Sequence, residues 1–170
     1  MNTKERLNII IEDLYGYALD REDVKWITGT VPQSAGLDPD RLEYELHLLK
    51  IVTVGWSIAY YLQEDPVKDK VVEPFWQSIH EVSTGLSQAT GMLIGKEIDY
   101  FNELRSRLEG YVLAMSRTGH DNPAEAIGPE FAANFGLPED LAVSMAGSRM
   151  FMAAARGVKE YLQTAEFDIQ

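Results

Sequence analysis

Residues 38–63, DPDRLEYELHLLKIVTVGWSIAYYLQ, limit the fold more than any other stretch of the chain. Asp38 is a good N-cap, Pro39 takes the first helical position, and Leu37 and Leu42 have the spacing of a hydrophobic staple. A helix therefore starts at Pro39, and its period carries it to about Gln63. From Leu46 onward it is apolar around roughly two-thirds of its circumference, with one polar stripe of Glu43, His47 and Lys50. A helix of that kind has to be wrapped by other elements, so it is the expected centre of the fold.

The rest of the chain supplies the wrapping. Residues 3–19 place Leu7, Ile10, Ile11, Leu14, Tyr17 and Ala18 on one face, with Asn2 and Glu5 at capping-box spacing. The segment 20–36 carries Gly29, Pro32 and Gly36 and reads as a loop. Asp65 and Pro66 restart a helix that Pro74 should kink or split and that Gly91 and Gly95 end. Residues 96–116 turn Phe101, Leu104, Leu108, Tyr111 and Met115 inward. A short helical turn after Asn122 and Pro123, a second at 129–135, and a long helix from Pro138 to about Ala165 complete the pattern. The expectation is an all-α, single-domain bundle of five or six helices over residues 1–170, with no internal boundary. A chain of 170 residues buries enough surface to stand without staples, and it has no cysteine, which excludes disulfides and thiolate chemistry.

Short matches link the two halves. LYGYAL at 14–19 and LEGYVL at 108–113 share Leu-x-Gly-Tyr-x-Leu, GLDPDRL at 36–42 echoes GLPEDL at 136–141, and YLQ ends both long helices. An internal pseudo-twofold duplication would leave such traces, although amphipathic helices also produce them by chance.

Charge narrows the function classes. The formal net charge of −12, spread along the chain, disfavours nucleic acid and anionic membranes as partners. MNTKERLNIIIEDL has only a short apolar run, ended by Glu12 and Asp13, and Ile51–Leu62 is too short to span a bilayer. The expected location is cytoplasmic.

Candidate chemistry is sparse. QSIHEVSTGLSQATG, residues 77–91, sets His80, Glu81, Thr84 and Gln88 on one side of a helix and Ile79, Val82, Leu86 and Ala89 on the other. That is the wet side of a bundle helix, bordered by Trp76, Ser83 and Ser87 in a way that could form a shallow groove. A carboxylate-bridged di-metal centre needs Glu-x-x-His on two helices, but Gln77 precedes His80 and Tyr44 precedes His47. Glu43 and His47, four apart, are a usable ligand pair and equally an ordinary helix pair. His120 beside Asp121 could form a loop acid/base site, or simple turn chemistry. No nucleophile elbow, phosphate loop or dinucleotide fingerprint is present, and no metal or cofactor is implied. FAANFGLPEDLAVSMA, 131–146, imitates a helix-turn-helix, yet its second helix opens with Glu139 and Asp140, which repel phosphate.

The last helix gives the remaining clue. Ala146, Gly147, Ala153, Ala154 and Gly157 cluster on its inner side, and Gly55 and Ala59 of the central helix are the expected counterpart. Met145 and Met152 lie on the outer side beside Arg149 and Arg156, the mixture of apolar and arginine side chains common at interfaces. The expected function is a non-catalytic binding or interaction module, homodimeric through Met145, Arg149, Met152 and Arg156, with the edge of Trp76 assisting. Another protein or a small molecule is the further partner to consider. The alternative is an enzyme or small-molecule sensor with an inter-helix pocket using His47 and Glu43, or His120.

Overall fold

The computed structural model describes residues 2–33, 36–117 and 122–165. Its elements are α1 (Thr3–Leu19), α2 (Glu22–Thr30), α3 (Pro39–Tyr61), α4 (Lys68–Ile94), α5 (Tyr100–Arg117), α6 (Pro123–Ala133) and α7 (Leu141–Thr164), with no strand among the described residues. The chain is an all-α single-domain bundle. α3 is its axis, packed against α1, α2, α4, α5 and α7. Every residue from Tyr44 to Gly55 is buried, as the two-thirds apolar surface demands. The helix begins where the cap chemistry puts it, with the Asp38 side chain accepting from the Asp40 amide. No helix among the described residues is long and apolar enough to cross a membrane.

Several boundaries differ from the sequence reading, among them the starts of α4 at Lys68 and α5 at Tyr100. The loop expected at 20–36 contains α2, whose first turn carries Glu22 and Asp23 at the positive end of the helix dipole. Val24 and Ile27, three apart, bury one face of α2 against the core, while Trp26 stays largely exposed. Pro74 does not split α4, which runs unbroken from Lys68 to Ile94. The short turns expected after Asn122 join into one helix, α6, and α7 starts at Leu141 because Asp140, not Pro138, caps it.

A long–short–long order of helices recurs, α1–α2–α3 and α5–α6–α7, with α4 between. The packing is less symmetric than the order, since α3 lies along α4 and α7 has no comparable contact with it. Small residues on α7 admit close neighbours as their pattern suggests, and at two of its glycines those neighbours are α6 and α1. A β-carbon on Gly147 would lie 2.6 Å from that of Phe131, and one on Gly157 would overlap the Tyr17 ring. Gly55 is not their counterpart. It is covered by the indole of Trp76 on α4, with which a β-carbon at this position would collide.

Candidate functional site

The polar stripe of α3 is not wet. Its position at the bundle axis buries His47 and Lys50 completely, and both turn to the C-terminal end of α1. His47 Nε2 lies 3.2 Å from the Ala18 carbonyl, and Lys50 Nζ donates to the Asp20 carbonyl at 2.7 Å. These carbonyls belong to the last turn of α1, where no further amide of the helix can reach them. The two side chains are thus the cap of α1, and the lysine charge complements the negative end of its dipole. Lys50 Nζ also stands 3.8 Å from Asp23 and 4.4 Å from the centroid of the Tyr17 ring.

Burial governs the protonation of this cluster. His47 is pushed down to about 4, first by desolvation and then by the Arg21 charge, with Lys50 adding to the effect. With Nε2 donating to Ala18, its Nδ1 is a buried acceptor with no partner among the described residues. Burial also holds Lys50 below its ordinary range, against the opposing pull of Asp23 and Asp20. The imidazole, 1% exposed, is held in the core against the end of α1.

Glu43 is half-buried one turn before His47 and shares no hydrogen bond with it. Neither residue lines the cavities of about 900, 430 and 420 Å³ among the described residues. His120 lies outside the described residues. No cluster of three or more His, Cys, Asp or Glu side chains among the described residues could hold a metal ion.

A second polar contact on α3 was not read from the sequence. Glu45, only 2% exposed, receives two bonds from the Arg107 guanidinium of α5, at 2.9 and 2.7 Å. Arg107 also reaches Glu103 at 3.6 Å, four residues earlier on the same helix. The signal available was Glu45 itself, a carboxylate between Tyr44 and Leu46 and off the polar stripe. Such a residue needs a cation from another helix.

The polar side of α4 borders an open groove of about 900 Å³ against the start of α5 and the 95–99 connection. His80 is exposed there, as its place in the pattern indicates, and its ring meets Phe101 edge-on at 4.6 Å. Ser87 Oγ accepts the Tyr100 amide, so one of the hydroxyls on this face serves to start α5.

On the outer face of α7, Leu141 is 73% exposed, Met145 43% and Met152 51%. At 100° per residue these three share a stripe with Arg149, Arg156 and Lys159, all exposed. Arg156 pairs with Glu160 at 3.0 Å. Trp76 does not join this stripe; it is half-buried on α4, over Gly55 and edge-on to Phe75. The comparisons add no relative: no protein-family model, curated protein or solved structure matches this chain.

Proposed function

We propose that the protein is a non-catalytic interaction module that self-associates through the outer face of α7. The observation that carries this reading is the exposed row of Leu141, Met145 and Met152 on a helix whose opposite face is fully packed. Large apolar side chains gathered on one stripe are what a monomer avoids and an interface uses. The arginines suit a second copy of the same helix. Antiparallel pairing about a twofold axis level with Met150 and Phe151 sets Met145 against Arg156 of the second copy, and Arg149 against Met152. Arginine stems then cover methionines, and no arginine faces another arginine. Closed twofold symmetry is the commonest arrangement of soluble homo-oligomers.

The charge of −12 favours a protein partner over nucleic acid or an anionic membrane, and the cytoplasm is the proposed setting. Light scattering at micromolar concentration tests the reading. A dimer that becomes a monomer in Met152→Glu is expected. A wild-type monomer rejects self-association; a dimer indifferent to Met152→Glu rejects this face.

A further inference from the structure

The geometry points to a binding site for an aliphatic diamine or polyamine in the pocket between α3, α5 and the 95–99 connection. The pocket holds about 420 Å³, with Glu45 and Tyr44 of α3 in its wall. Five carboxylates line it, those of Asp38, Glu45, Glu97, Asp99 and Glu103, against the cations of Arg41, Lys96 and Arg107. Two of those cations are already engaged. Arg41 donates to the Asn134 carbonyl at 3.1 Å, and Arg107 is bound to Glu45. Arg107 also stands 3.6 Å from Glu103, yet the five carboxylates outnumber the three cations, so the pocket is net negative.

Tyr44 supplies the second, independent observation. It is 7% exposed, lines this pocket, and its hydroxyl makes no hydrogen bond to any described residue. Burial, and then the charges of Glu103 and Glu45, hold its phenol well above the ordinary value, so the hydroxyl stays protonated on the carboxylate side. The rest of the side chain is buried, so its oxygen is left to bond with what enters the pocket.

A primary ammonium has three donors and no acceptor. The Tyr44 oxygen, the Glu103 oxygen not turned to Arg107 and a rim carboxylate of Asp38 or Asp99 would meet that demand. A metal ion is the poorer fit, because no cluster of three suitable ligands exists among the described residues. Ile94 and Ile98 offer apolar surface to a methylene chain. The connection also carries Glu97 and Asp99 along the edge of the 900 Å³ groove on its other side. A second ammonium at the far end of the chain therefore meets carboxylate again.

Isothermal titration with putrescine and spermidine at low ionic strength, on the full chain, tests this. Saturable one-site binding is expected, weakened about fivefold to tenfold in Tyr44→Phe and in Glu103→Gln, and unchanged in Glu64→Gln, in the turn after the far end of α3. Tyr44→Phe removes an atom that bonds to nothing in the chain, so its melting temperature should hold while its affinity falls. Binding equal in all variants, or matched by magnesium at equal charge, would reduce the effect to diffuse attraction and overturn the site. Absence of binding by either amine overturns it as well.

Discussion

Acid should unfold this protein through His47, by an amount that follows from its surroundings. The ring is 1% exposed, donates from Nε2 to Ala18, and has no partner for Nδ1 among the described residues. Protonation would place a charge in a buried site near Arg21 and Lys50, which is why the folded ring is pushed from 6.5 down to about 4. Between those two values the unfolded chain binds a proton that the folded chain refuses. Stability is therefore complete above about pH 6.5 and declines as the pH falls toward 4. At about 1.4 kcal/mol for each pH unit, the full loss is about 3 kcal/mol, of which about 2 kcal/mol has gone by pH 5. That is a large part of the ordinary stability of a domain. Urea denaturation followed by circular dichroism, at pH 7.5 and pH 5.0, measures it. His47→Gln is the comparison: its amide can still donate to Ala18, and it carries no proton equilibrium. The mutant should be less stable at both pH values but should lose about 2 kcal/mol less between them. His80, His120 and the carboxylates are common to both proteins and cancel. Equal losses in wild type and mutant would refute the argument, because they would show that His47 does not charge on unfolding.

Two further outcomes follow from packing. Arg107→Met should destabilise by about 3 kcal/mol, since it leaves the Glu45 carboxylate buried without its cation, whereas the double change Glu45→Leu with Arg107→Met should recover most of the loss; equal melting temperatures for the single and double variants would contradict this. Ala154→Leu puts a larger side chain at a fully buried position on α7 and should cost about 1–3 kcal/mol, while an unchanged melting temperature would mean that the helix has room there.

The sequence was most legible where local chemistry decides. The caps at Asn2 and Asp38, the inward face of α1 and the buried length of α3 all follow from spacing that the structure repeats. It was least legible where one helix depends on another. α2 has nine residues, too few to be stable alone, and forms because Val24 and Ile27 find the core; a reading of local signals sees the breakers around it and not that core. Pro74 shows the reverse: a strong local breaker is absorbed by a long helix packed on α1, α3 and α5.

The same division explains the polar residues. Periodicity placed Glu43, His47 and Lys50 on one stripe, and the natural inference from a stripe is water. On the central helix of a bundle every direction leads to another helix, so the stripe is resolved instead by the exposed end of α1, whose carbonyls need donors. A cation and an imidazole on α3 are what a capless helix end requires: no Gly follows α1, and Asp20 stands at its C-cap in an extended conformation. His47 looked like chemistry because histidine in an apolar helix is rare. Its rarity has a structural cause, and the Tyr44 hydroxyl beside its carboxylates and the apolar row on α7 are where binding is to be sought.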